Sequence, residues 1–185
     1  MDSEFVSFRG QLLIASPGLI DPNFHRTVVF VTEHTEEGAM GLVLNRPSDV
    51  TVAQAVAKLA GLVRDGDTVY VGGPVQPEAV VALAELADPA VAAAIALGDI
   101  GFLRGDADPA ELEGQVRRTR VFAGYSGWSA GQLESELEES AWIVEPAEPG
   151  DVFTLAPDAL WSAVLRRKGG TYAIIATMPP DPSVN

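Results

Sequence analysis

Residues 27–34 read TVVFVTEH, and no other stretch narrows the choice of fold as much. Val28, Val29, Phe30 and Val31 are contiguous β-branched or aromatic residues, which suit extended backbone. Successive side chains of a strand point to opposite faces, so Val28 and Phe30 share one face while Val29 and Val31 share the other. Both faces are therefore apolar, and a strand of that kind belongs in the interior of a sheet that is covered on both sides. Glu33 and His34 give it a polar tip. Two covered faces demand many apolar side chains. The chain has them, with 47% hydrophobic and 21% charged residues among 185, far from the composition of a disordered chain. That length fits a single domain over residues 1–185, with short flexible tails at both ends.

Other elements assemble around this strand. QLLIA at 11–15 reads as a strand, and SPGLIDPNF after it as a loop. The TEEG segment returns the chain into AMGLVLN at 39–45 as a hairpin, with Gly38 in the turn. Thr51 and Gln54 form a capping box ahead of a short helix over 52–60. TVYV at 68–71 and AVVALAEL at 79–86 read as strands, and the Ala-rich run after Asp88 as a helix followed by a short strand IGFL. Asp108, Pro109 and Glu111 suit the N-cap, first turn and third position of another helix. RTRVFAGYS reads as a strand ending at the glycine-rich segment FAGYSGWSAGQL (122–133), with Ser129 and Gln132 as a second capping box. AWIVEPA is a strand, the segment after Pro157 a helix packed through Leu160, Trp161, Val164 and Leu165, and TYAIIATM at 171–178 a final strand. Strands and helices without strict alternation make an α+β fold.

Composition also bounds function. Zero cysteines exclude disulfides, a thiolate nucleophile and Cys-ligated metal, and fit a reducing cytoplasm. The first ten residues, MDSEFVSFRG, resemble neither a secretory signal nor an Arg-rich transit peptide. No apolar run reaches the roughly 18 residues of a membrane span. A formal net charge of −14 repels phosphate backbones, which sets nucleic acid aside as a partner. Basic residues cluster only in RRTR at 117–120 and RRK at 166–168, read here as a solvated strand edge and a helix C-terminus.

Four stretches, LLIASPGLIDPNFHRTVVFVTEH, EEGAMGLVLNRP, VYVGGPVQP and FAGYSGWSAGQLESELEESAWIV, together resemble the AlgH/YqgE family of bacterial proteins, in order and over about residues 10–170. The resemblance implies an α+β fold whose bifurcated mixed sheet is partly curled into a small barrel, with helices packed outside. Many relatives carry a Cys just before the Glu-His pair, where this chain has Thr32, so thiol chemistry does not carry over. The family name derives from a proposed role in regulating alginate production, which suggests regulation without supplying a mechanism.

No complete catalytic or cofactor motif stands in the chain. His25 and His34 are nine positions apart on an extended segment, roughly 30 Å at full reach, too far to share a metal; no metal or cofactor is expected. Gly124, Tyr125, Ser126 and Gly127 give GxSG rather than the GxSxG of a nucleophile elbow. Gly72 and Gly73 in GGPVQP lack the lysine of a phosphate loop. The candidate ligand-binding residues are His34, Asn45, Arg46, Gly72, Gly73, Gly124, Tyr125, Ser126, Gly127 and Trp128, expected to converge on one cleft where the helix start after Gly131 favours an anion. The leading reading is a non-catalytic cytoplasmic binding or regulatory protein, its partner another protein or a small anionic ligand. The alternatives are a hydrolase or transferase using Ser126 and His34, and a DNA-binding regulator.

Overall fold

A computed structural model of the chain describes residues 4–181 and 183. Residues 1–3, 184 and 185, where part of the predicted flexible tails falls, lie outside the described residues, as does Pro182. The sheet contains strands β1 (Gln11–Ala15), β2 (Val28–Thr35), β3 (Gly38–Val43), β4 (Pro47–Thr51), β5 (Thr68–Val71), β6 (Val75–Leu86), β7 (Ala94–Leu97), β8 (Ile100–Phe102), β9 (Val116–Ser129) and β10 (Trp142–Pro146). Helices are α1 (Val52–Ala55), α2 (Pro109–Leu112), α3 (Gln132–Glu138), α4 (Pro149–Val152), α5 (Pro157–Lys168) and α6 (Thr171–Ile175). Among the described residues, no helix is long and apolar enough to cross a membrane.

The strand order is β10-β1-β2-β3-β9-β6-β8-β7, antiparallel along this path, and β5 joins β9 in parallel while pairing with β4 on its other side. β2 lies between β1 and β3, as its two apolar faces require. Val28 and Phe30 pack with Leu160, Trp161, Val164 and Leu165 of α5, and Val29 and Val31 pack with Trp128, Leu133 and Trp142 on the opposite side. All four β2 residues are fully buried, each adding about 1.5–3 kcal/mol by leaving water. The sheet is large and mixed, but its path is open: β10 and β7 end it without pairing, so it does not close into a barrel.

β9 is the strand on which the glycine-rich and arginine-rich segments are both carried. One of its edges is taken by β6 from Val116 to Tyr125. The other is divided, with Phe122 and Ala123 facing β5 and Ser126 to Ser129 facing β3. The strand therefore continues through the glycine-rich segment expected to be a turn, and the glycines serve the neighbouring backbone instead.

Three further expectations change. TYAIIATM is not a strand: Gly169 and Gly170 both take positive φ and turn the chain, and residues 171–175 coil into α6. Tyr172 and Ile175, three apart, meet the core while Ile174 is exposed, so a helical period wins where nearly every residue is apolar and alternation carries little signal. The Ala-rich run forms a short turn and the β7–β8 hairpin, because the edge of β6 was open to β8. Ser129 and Gln132 make half a capping box, Ser129 N–H donating to Gln132 Oε1, while left-handed Gly131 occupies the N-cap of α3. The Thr51–Gln54 box forms with both of its hydrogen bonds, and Asp108 caps α2 through Ala110 N–H.

Candidate functional site

Three of the glycine-bearing motifs meet at the point where β3, β5 and β9 come together. Gly72 N–H donates to Ala123 O, Val43 N–H donates to Gly72 O, and Val71 N–H donates to Arg46 O. Side chains are excluded here. A Cβ on Gly72 would overlap the Gly124 carbonyl oxygen, one on Gly73 would overlap the Tyr125 backbone, and one on Gly124 would stand 2.5 Å from Gly73 O. Gly124 also takes φ +70°, so it is held by conformation as well as by space. Ser126 is fully buried in the same junction and donates its hydroxyl to Gly72 O at 3.1 Å. The structure thus joins Gly72, Gly73, Gly124, Tyr125 and Ser126 through close backbone approach. Gly127 is exposed beyond them on β9, with only ordinary contacts around it.

Asn45 and Arg46 stand at the end of β3 and also serve the backbone. Asn45 accepts from Val28 N–H and donates to Arg26 O, tying two segments together. Arg46 donates to the carbonyls of Pro22, Asn23 and His25. Partial burial draws its pKa below the usual value, with Asp21 opposing the shift. A notch of about 50 Å³ is bounded by Asn23, Val43, Arg46, Val71, Gly73 and Pro74, room for one or two waters.

His34 lies apart from Ser126 in its bonding, on the far end of β2. Phe8 N–H donates to His34 Nδ1 at 3.0 Å, which fixes the tautomer: the proton resides on Nε2, and Nε2–H donates to Glu134 Oε1 at 2.9 Å. Both ring nitrogens are engaged, and the rings of Phe5 and Phe8 cover the imidazole. His25 is placed elsewhere, its Nδ1 near Leu19 O, and no cluster of metal-ligating side chains occurs among the described residues. Trp128 and Trp142 are core residues whose indole N–H groups both donate to Glu136 Oε2, at 2.9 and 2.7 Å.

A shallow depression of about 270 Å³ lies beside Trp128, lined also by Glu33, Glu37 and Met40, and a further cleft is found at the other end of β9. Before Phe122 the strand has lost β5 from its edge, and a cleft opens there in two adjoining lobes of about 230 and 180 Å³. Val63, Asp67, Thr119, Arg120 and Leu155 line both lobes. Arg120 is only 8% exposed, contrary to the solvated strand edge expected for RRTR. Its Nη2 donates to Thr154 O at 2.9 Å and its Cζ lies 4.2 Å from the centroid of the Tyr70 ring. Burial pulls the guanidinium below its ordinary pKa, against the favourable influence of Tyr70 and Asp67. Arg120 Nη1 and the hydroxyl of Thr119, a residue 7% exposed, have no hydrogen-bond partner among the described residues.

Arg117 and Arg118 are answered locally. Arg118 faces Glu85 directly across the β6–β9 ladder, 2.8 Å from Nε to Oε2, and Arg117 approaches Asp99 at 3.7 Å. Arg120 escapes a reading from sequence because a cluster of arginines on a strand has the pattern of a surface. A signal was present: Arg120 is two residues from Phe122 and therefore shares the face of a core aromatic.

Known proteins share this arrangement of strands. The AlgH-like family profile matches residues 12–173. A UPF0301 protein of Streptomyces coelicolor is 43% identical, covering 99% of this chain and 98% of its own length. A UPF0301 protein of Thermobifida fusca is also 43% identical, with 97% and 96% covered. The crystal structure of a protein from Corynebacterium diphtheriae matches with a TM-score of 0.86 at 29% identity over 95% of this chain and 94% of that one. The solution structure of the AlgH protein from Pseudomonas aeruginosa, itself described as UPF0301, matches with a TM-score of 0.73 at 33% identity over 97% and 98%. Agreement in sequence and in fold thus extends over nearly the whole domain, and the chain belongs to the AlgH-like, UPF0301 family.

Proposed function

We propose that this AlgH-like chain is a non-catalytic binding protein, in which the glycine-rich junction is a rigid frame and the exposed clefts carry recognition. The observation that supports this most directly is the commitment of Ser126, fully buried with its hydroxyl given to Gly72 O. A serine nucleophile needs a base within hydrogen-bond reach and an accessible path to substrate. Here the imidazole of His34 is engaged by Phe8 and Glu134, and Ser126 has the backbone for its partner. The partner is a small anionic ligand; a protein partner is the second form of the same reading. Polyanionic nucleic acid is disfavoured by the net charge of −14.

The test pairs turnover with binding. Ester, thioester and phosphate-ester substrates are assayed against the parent protein, Ser126→Ala and His34→Ala, with folding of each checked by circular dichroism. The expected result is equal background rates in all three proteins. Turnover that falls by about a hundredfold in either folded variant, as removal of a nucleophile or its base does, would overturn the reading.

A further inference from the structure

We propose that the cleft around Arg120 binds a small molecule bearing an oxyanion, a carboxylate or a phosphate, with the Arg120 guanidinium as the donor. This gives the binding reading a site and a ligand class, and it rests on that reading only for the absence of turnover. An oxyanion bound here leaves the question of catalysis open, and catalysis elsewhere leaves this site standing, so the two fail separately.

A guanidinium removed from water needs acceptors for its N–H groups and a compensating charge. Arg120 has part of each. Thr154 O takes a hydrogen from Nη2 and the Tyr70 ring covers one face, which together hold the planar group in place. Nη1 has no acceptor, and no carboxylate lies within ion-pair distance of Arg120 among the described residues. Asp67 lines the cleft, but its Oδ2 accepts from Arg64 N–H at 3.1 Å. Thr119, next along β9, also lines both lobes, with its side chain on the opposite face of the strand. A ligand oxygen supplies both an acceptor and a countercharge to a donor already held in position, and a pinned arginine loses little freedom on binding it.

Charge and size select the ligand class. The lining of the larger lobe contains Arg64, Arg117, Arg118 and Arg120 against a single acid, Asp67. With Arg117 and Arg118 paired to Asp99 and Glu85, Arg64 and Arg120 remain against Asp67, a local positive excess. Screening confines that excess to about 8–10 Å, so a small anion feels it while a long polyanion meets the acidic remainder of the surface. Lobes of about 230 and 180 Å³ have room for a few-carbon acid or a phosphate.

The experiment follows the amide and arginine side-chain resonances of isotope-labelled protein during titration with inorganic phosphate, with succinate, and with chloride at matched ionic strength. Saturable shifts centred on Asp67, Thr119, Arg120 and Thr154 are expected with one or both oxyanions and not with chloride. The stronger of the two arms identifies phosphate or carboxylate as the preferred group. Arg120→Lys, which retains charge but loses the planar fork, is expected to weaken binding by about tenfold. Because Arg120 is buried, folding of that variant is checked separately, and a milder change at the rim carries the test if it fails. Arg64→Gln at the exposed rim should cost about threefold, more at low salt than at high. Equal responses to all three anions, or a titration at low salt unchanged in Arg64→Gln, would overturn the site. Tighter binding of a short oligonucleotide with the same shifts would overturn the small-ligand assignment.

Discussion

Replacing Gly72 by alanine tests whether the glycine-rich motifs exist for close backbone approach. Gly72 does not take a positive φ, so the substitution adds a methyl group without left-handed strain. That methyl would collide with Gly124 O and stand 2.9 Å from Leu42 Cδ2, where ordinary contact begins near 3.4 Å. Neither neighbour yields readily, since one is backbone on β9 and the other is a fully buried core side chain. Relief requires moving β5 away from β9. The bonds at stake are Gly72 N–H to Ala123 O and Val43 N–H to Gly72 O, both 2.9 Å, and the Ser126 hydroxyl to Gly72 O at 3.1 Å. Losing two of them at about 1 kcal/mol each, with about 1–3 kcal/mol for overpacking, gives a loss of about 3–5 kcal/mol. For a domain of this size each kcal/mol lowers Tm by about 2–4 °C, so calorimetry should register a fall of about 6–20 °C. Gly66→Ala is the control: its φ is +82° and its Cβ would enter open space, leaving only left-handed strain of about 1–2 kcal/mol. A loss at Gly72 no larger than that at Gly66 would refute the role of close approach.

Other perturbations test separate parts of the structure. Glu136→Ala removes the shared acceptor of the Trp128 and Trp142 indoles and should destabilise by about 2–4 kcal/mol, with a shift in tryptophan emission; unchanged urea midpoint and emission would contradict those bonds. Arg167→Ala leaves the buried Asp151 carboxylate without its two 2.8 Å donors and should cost about 3 kcal/mol, a loss that Arg167→Lys recovers only in part because ammonium lacks the fork. Hydrogen bonding to Arg118 first, and the nearby arginine charges after it, hold Glu85 below the usual carboxylate pKa despite opposing desolvation. Its contribution is thus fully present above the unfolded value of about 4.3 and disappears as pH falls through the folded value. The stability difference between parent and Glu85→Gln should accordingly be constant from pH 7 to 5 and shrink on further acidification; a difference that stays constant to pH 3 would contradict the assignment.

How far the fold is legible depends on whether local pattern or a neighbour decides each element. Val28 to Val31 announce an interior strand because both faces are apolar, whatever lies around them. Leu160, Trp161, Val164 and Leu165 announce the buried stripe of α5 because helical spacing leaves no alternative face. Thr51 and Gln54 announce a cap because the two hydrogen bonds are local. In TYAIIATM the residues are apolar at nearly every position, so strand and helix are equally well patterned, and the turn at Gly169–Gly170 directs the segment into a helix against α5.

The functional residues divide along the same line. Sequence alone determined the central strand and marked the glycines at 72, 73 and 124 as places for a turn or a close approach. Tertiary structure decided that the approach is backbone against backbone, which consumes the hydroxyl of Ser126 and the polar groups of Asn45 and Arg46. It also decided which arginine of RRTR is buried. Alternation places Arg118 and Arg120 on one face, but Glu85 meets only Arg118 across the ladder, while β5 leaves the edge of β9 open before Phe122 and Thr154 fixes Arg120 within it. Burial and pairing depend on residues 33 to 52 positions away along the chain, and no local pattern encodes contacts at that separation.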